Sequence, residues 1–213
     1  MIEPVNLILA LAAVALLPFL AVAASSYIKI SVVLMLIRNA IGAQQTPPNM
    51  ALNALALILS VFIMAPVIFA IYDIAKTLDF HTASASDFEH ALTAAQAPLL
   101  EFLRKHTGAR ELLYFKEVAM TIWPESMHGL VKAEGLLLVL PAFTLTELRT
   151  AFEIGFLLYL PFIVIDLVVS NILLAMGMMM VSPLTISLPF KLLLFVMVDG
   201  WSKLILSLVK TYA

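Results

Sequence analysis

Cysteine is absent from the 213 residues, which excludes disulfides, cysteine-ligated zinc and thiol catalysis together. Charge is scarce: Asp, Glu, Lys and Arg make up 12% of the chain, and the net charge is −2. With no long basic run, nucleic acid has no electrostatic footing as a partner. There is no G-x-S-x-G, P-loop or glycine-rich phosphate loop, so no nucleophile or nucleotide site is legible. The four histidines, His81, His90, His106 and His128, form no H-E-x-x-H and no close pair. They read as solvated surface residues rather than metal ligands. No catalytic residue, metal site or cofactor is expected, and no repeat or low-complexity tract is visible.

What the chain does have is apolar surface. Hydrophobic residues make up 63% of it and the mean hydropathy is +1.07, against about 45–50% apolar residues in a soluble domain. This is the composition of a membrane protein. Between Lys76 and Glu153 lie 7 of the 12 basic residues, 10 of the 14 acidic residues and all 4 histidines. The chain therefore reads as an N-terminal hydrophobic helical hairpin (1–75), a polar helical region (76–150) and a C-terminal hydrophobic helical hairpin (151–213).

The first apolar run, Val5 to Ala24, contains only Asn6 as a polar side chain and has the roughly 20 residues a span requires. Ala21-Val22-Ala23 is compatible with a signal-peptidase site, but MIEP carries no Lys or Arg and the run exceeds a usual signal core, so an uncleaved helix is expected. Tyr27 to Ile41 reads as continued helix bearing Lys29 and Arg38, which lie about 180° apart on the helical wheel and cannot share a partner. Gly42 is a helix stop and Pro47-Pro48 an extended connection, making GAQQTPPN a hairpin tip. The second run, Met50 to Tyr72, can span, with Pro66 inside it and Asn53 and Ser60 on one packing face. Lys29 and Arg38 place the hairpin tip in the cytoplasm and the polar region in the periplasm, with Lys203 and Lys210 counting against that orientation.

The polar region is helical in pattern. Ser86-Asp87-Phe88-Glu89 is a capping box followed by an apolar stripe of Phe88, Leu92, Ala95 and Leu99. Gly108 ends that helix, Glu111 to Ile122 forms another, and Trp123-Pro124 breaks it. Thr144-Leu145-Thr146-Glu147 is a second capping box, expected to start the helix leading into the third apolar segment.

That third segment, Ile154 to Met176, contains Asp166, and the fourth, Leu184 to Val209, contains Lys191, Asp199 and Lys203. A charge at the bilayer centre costs at least about 2.5–3.5 kcal/mol, so these segments are expected to face protein or water. Asp166 with Ser170 and Asp199 with Lys203 are i, i+4 pairs, the second able to form an ion pair. Lys191 lies roughly two turns before Asp199, on nearly the same face. One reading is a proton or ion relay. The other, which we favour, is that Asp166, Lys191, Asp199 and Lys203, with Lys29 and Arg38, are intramembrane charges for packing or subunit contact. Prolines recur in every apolar segment, at Pro18, Pro66, Pro161, Pro183 and Pro189, and broken helices of this kind need neighbours to satisfy their backbone. An assembly is expected rather than a monomer.

Between the last two segments lies NILLAMGMMMVSPLTISLPFK, Asn171 to Lys191. Met176, Met178, Met179 and Met180 form a soft collar, because an unbranched thioether re-packs against partners of different shape. A methionine-rich membrane helix is the plainer reading. Gly177 before the triplet and Ser182-Pro183 after it instead present the methionines at a helix break.

The strings LLAMGMMMVSPLTISLPFKLLLF, YIKISVVLMLIRNAIGAQQTPPNMALNALALILSVFIMAP and PAFTLTELRTAFEIGFLLYLPFIVIDLVVSNI resemble the FliP/SctR family of type III secretion export-gate proteins. The resemblance covers nearly all of the chain apart from about residues 73 to 139. It implies an all-α, multi-pass membrane protein of helical hairpins with a mostly helical polar middle layer, assembled into a pentameric ring in the bacterial inner membrane. It further implies a non-enzymatic, protein-conducting pore with Met178, Met179 and Met180 as a gasket and Gly177 and Pro183 as its hinge. The implied partners are SctS/FliQ-like and SctT/FliR-like gate subunits, SctU/FlhB-like and SctV/FlhA-like components, unfolded secreted proteins and membrane lipid. Transport energy would reside in an ATPase and the proton gradient acting on partner proteins. In the family the assembled gate is lifted toward the periplasm, which would spare lipid the charges of segments three and four. The lack of a convincing cleaved signal leans toward the injectisome branch and a role in virulence. The competing expectation is a small ion-coupled transporter or channel subunit using Asp166 and Asp199.

Overall fold

The computed structural model describes residues 15, 19, 21–43, 46–76, 85–132 and 134–213, with side chains for all of these except 75, 85–92 and 132. They form helices and turns, with no strand among the described residues, so the expected all-helical class is found. In chain order the elements are α1 (Tyr27–Ile41), α2 (Asn49–Lys76), α3 (Ala85–His106), α4 (Ala109–Ile122), a 3-10 turn (Glu125–Met127), α5 (His128–Lys132), α6 (Leu136–Ala175), α7 (Pro183–Met197) and α8 (Gly200–Lys210). Most of the first apolar run, with Asn6 and Pro18, lies outside the described residues, as do His81 and the side chains of the Ser86–Glu89 capping box, His90 and Leu92.

By packing, the chain forms two units, Met1–Ile28 with Met64–Glu147 and Lys29–Ile63 with Leu148–Ala213. In the first, Ala24, Leu103, Val139 and Phe143 form a buried cluster against which Leu99, Leu100 and Leu112 pack. The Phe102 and Phe143 rings lie 6.0 Å apart in a tilted arrangement. A second cluster joins Ala119, Val131 and Leu138, covered by Phe115 and Trp123. Arg104 donates to the Glu134 carbonyl at 2.8 Å, and the Glu134 carboxylate takes a hydrogen bond from Lys116. The Lys116 bond holds the Glu134 carboxyl below its ordinary range.

The Thr144–Glu147 expectation is corrected here. The helix begins eight residues earlier, at Leu136, and runs unbroken through the box. Both threonine hydroxyls donate back four residues, Thr144 to the Leu140 carbonyl at 2.9 Å and Thr146 to Ala142 at 2.8 Å, as Ser and Thr do inside a helix already formed. Thr146 nevertheless serves another helix, because its hydroxyl accepts the Gly108 N–H at 3.0 Å, just before α4.

In the second unit α1 is the most enclosed element: eight of its 15 residues are buried, Lys29, Ile30, Ser31, Val33, Leu34, Ile37, Ala40 and Ile41. At about 1.5 Å per residue it reaches roughly 22 Å, short of the ~30 Å hydrocarbon layer. Gly42 follows it at φ +86, the left-handed stop expected there. Helix α6 meets α1 closely at Gly155, where a Cβ would stand 2.3 Å from Leu36 Cδ1.

Among the described residues two helices are long and apolar enough to cross a membrane, Asn49–Ile74 within α2 and the 40-residue α6. At about 1.5 Å per residue α6 extends roughly 60 Å, twice the hydrocarbon thickness. The fourth apolar segment is not one continuous helix. It breaks at Val198–Asp199 into α7 and α8, bent by 61°, and would make a third span only if the pair were counted as one. Asp199 sits at φ 53, a left-handed conformation that Asp tolerates better than a branched residue.

Candidate functional site

Helix α6 ends on a glycine stop that determines where the methionines go. Gly177, at φ +73, donates its N–H to the Leu174 carbonyl at 3.0 Å, while the Met178 N–H reaches Leu173 at 2.9 Å. These two bonds are the Schellman pattern and use up carbonyls that the helix end leaves open. Pro183 occupies the first position of α7, where a missing N–H costs nothing. The turn between is tight, closed by Met179 N–H to Gly177 O at 3.0 Å and Val181 N–H to Met178 O at 3.4 Å. Exposure rises along the triplet, from 44% at Met178 to 82% at Met179 and 100% at Met180. The chain thus carries three thioethers outward on a short, backbone-braced turn.

Behind the turn, Asp166 on α6 binds α7 twice. Its Oδ1 accepts the Ser187 hydroxyl at 2.6 Å and its Oδ2 the Lys191 ammonium at 2.6 Å. Lys191 also donates to the Ala40 carbonyl at 3.2 Å, in the last turn of α1, where carbonyls lack helical partners and a cation is favoured. Ser187 and Lys191 are buried, whereas Asp166 keeps a partly open edge. One lysine therefore joins three helices.

The expected partner of Asp166 was Ser170; the partners found are Ser187 and Lys191. Sequence reasoning omitted Ser187 and Ala40, although the i, i+4 spacing of Ser187 and Lys191 was a readable sign that both face one neighbour. The Asp199–Lys203 ion pair is not formed. The helix break turns Asp199 into the residue before α8, where its Oδ1 accepts the Ser202 hydroxyl at 2.9 Å. Asp166 and Asp199 thus engage different partners. Lys29 lies 3.6 Å from the Tyr212 ring centroid, a cation–π contact at a buried position. Arg38 donates to the Pro47 carbonyl at 3.3 Å and to the Asn49 side chain, bracing the hairpin tip. His128 contacts the Trp123 carbonyl at 3.0 Å, and His106 lies beside Phe102.

Large apolar side chains remain uncovered along the long helices, among them Leu57, Phe62 and Phe69 on α2, Phe156, Leu157 and Leu167 on α6, and Val196 and Met197 on α7. With the candidate spans, they define a helical membrane protein. Residues 10–208 match the FliP family, and the chain belongs to that family. It is 50% identical over 210 residues to Yop proteins translocation protein R of Yersinia pestis, covering 99% of this chain and 97% of that one. Over 214 residues it is 50% identical to the hypersensitivity response secretion protein HrcR of Ralstonia nicotianae, covering 99% and 98%. Virulence protein YscR of Salmonella typhimurium is 44% identical over 213 residues, again covering 99% and 98%.

Proposed function

We propose that this chain is a structural, non-enzymatic subunit of the type III secretion export gate in the bacterial inner membrane, forming the protein-conducting pore as a pentameric ring. The names of its relatives, which speak of translocation, secretion and virulence, support that setting and the injectisome branch. On this reading the polar region 76–150 is periplasmic, between the hydrophobic hairpins 1–75 and 151–213. SctS/FliQ-like and SctT/FliR-like subunits join the ring, SctU/FlhB-like and SctV/FlhA-like components serve it, and unfolded substrates pass through it.

The observation that carries the reading is the outward display of Met178, Met179 and Met180 on a turn held by Gly177 and Pro183. Gathered from several copies around an axis, such thioethers close by apolar contact and re-pack around a passing chain. The buried Asp166–Lys191 pair holds α6 and α7 together at the base of the turn.

The test is replacement of all three methionines by alanine in the assembled gate. Native mass spectrometry should return the same ring, while ion conductance of membranes carrying the gate rises. An unchanged conductance with an intact ring would remove the gasket role.

A further inference from the structure

The break at Val198–Asp199 does more than bend the fourth segment, because it opens a groove of about 530 Å³ between α6, α7 and α8. This lies within the range of about 300–1,000 Å³ typical of ligand pockets. Leu158, Phe162, Phe195 and Leu204 form much of its wall. Gly200 permits the corner, since a Cβ there would meet the Phe195 ring at 2.4 Å. Phe195 in turn meets Trp201 edge-on at 5.2 Å and Phe162 at 6.4 Å, so the wall is aromatic and held in place.

The polar lining comes from Lys203 and Ser207 on α8 and from Thr211 just after its end, spaced at i, i+4 and i+8 along one edge. Elsewhere in this unit Lys29 contacts Tyr212, Arg38 bonds Pro47 and Asn49, Lys191 bonds Asp166 and Arg149 pairs with Glu153, whereas Lys203 and Lys210 lie exposed on α8. Lys203 has no side-chain partner among the described residues, and its nearest acid in sequence, Asp199, is bonded to Ser202. Ser207 likewise has a free hydroxyl among the described residues, whereas Thr211 donates to Leu208. Helix α8 turns Leu204 and Leu208 into the protein and carries Lys203 and Lys210 on its exposed side, where a lysine can reach an anionic headgroup while its stem lies along apolar surface.

An apolar trough with an unpaired ammonium and a hydroxyl on one rim is complementary to an anionic amphiphile. We propose that this groove binds an anionic phospholipid of the bilayer, one acyl chain lying along Leu158, Phe162 and Leu204 and the phosphate held by Lys203 and Ser207. The lipid covers the α6–α7–α8 corner and anchors α8 at the interface. This inference is independent of the methionine gasket, whose failure in the conductance test would leave it untouched.

Phosphatidylglycerol and phosphatidylcholine with identical acyl chains, added to the detergent-extracted full chain, are the probes, with retention read by native mass spectrometry. Phosphatidylglycerol should be retained about fivefold more than phosphatidylcholine, the effect of roughly one basic residue at an anionic lipid surface. Lys203→Gln should erase that preference, and Lys203→Glu should reverse it, both at an exposed position that does not enter the core. Leu158→Trp should lower retention of both lipids by filling the trough. Equal retention of the two lipids by the unaltered chain, or a preference unchanged in Lys203→Gln, would overturn the proposal. So would efficient disulfide cross-linking between Ser207→Cys copies without bound lipid, which would show that a second copy covers the groove.

Discussion

The Lys191 ammonium lies 2.6 Å from Asp166 Oδ2 and 3.2 Å from the Ala40 carbonyl, so a single buried cation ties the end of α1 to both α6 and α7. Among the described residues, removing the lysine leaves Asp166 with the Ser187 hydroxyl and takes a donor from the Ala40 carbonyl. Lys191→Ala should therefore lower stability by about 3 kcal/mol, the low end for a broken buried pair because Asp166 is partly open. The double variant Asp166→Leu/Lys191→Met should recover most of the loss, since it removes both charges. Thermal unfolding in detergent reads both. A double variant no more stable than Lys191→Ala would show that the pair matters for more than charge compensation.

Gly177 carries its positive φ with open space around the missing Cβ, so its constraint is backbone conformation and not packing. Gly177→Val should cost about 1–2 kcal/mol, whereas Gly177→Asn should cost markedly less because Asn tolerates the left-handed region. The ordering of unfolding midpoints, glycine above asparagine above valine, is the measurement.

Gly200 and Gly155 differ in what an added methyl group meets. At Gly200 it strikes the Phe195 ring at 2.4 Å, 2.4 Å and 2.7 Å, whereas at Gly155 the closest atom is the end of the flexible Leu36 side chain. Gly200→Ala should destabilise by about 1–3 kcal/mol, the cost of forcing a methyl group against the Phe195 ring. Phe195→Leu added to it should restore part of the loss, and Gly155→Ala should be the milder change. Melting of the four proteins decides the order.

Glu134 gives the polar region a small acid dependence. Hydrogen bonding from Lys116 lowers its carboxyl below the ordinary value, burial opposes this, and the charges of Lys116 and Arg104 assist. A lowered folded value means the contribution is full above the ordinary carboxylate range and is lost as pH falls through the folded value. Because the ion pair is open to water, it is less than about 1 kcal/mol. Glu134→Gln should lower the unfolding midpoint at pH 7, and the difference from the unaltered chain should shrink steadily below pH 4.

Much of the fold was legible because the punctuation is local. Gly42 and Gly177 act through their positive φ and Pro124 and Pro183 through their missing donors, each at the helix break expected of it, while Gly108, at an ordinary φ, stands just before α4 in the break after α3. The second capping box misled because Thr and Glu at i and i+3 satisfy the same pattern inside a helix. Only the burial of Val139 and Phe143 upstream extends α6 through it. Asp199 and Lys203 had the spacing of an ion pair, but spacing holds only while the helix continues, and it begins anew at Gly200.

The sequence by itself determined the helical class, the apolar segments, the polar middle and the methionine turn, because these follow from composition, periodicity and the conformational limits of Gly and Pro. Tertiary structure alone decided the partners of the charges. That Lys191 meets Asp166 and Ala40, that Lys29 lies over Tyr212, and that Lys203 is left at the rim of a groove depend on which helix faces which. Residues far apart in the chain are brought within hydrogen-bond reach by packing, and no local pattern encodes that distance.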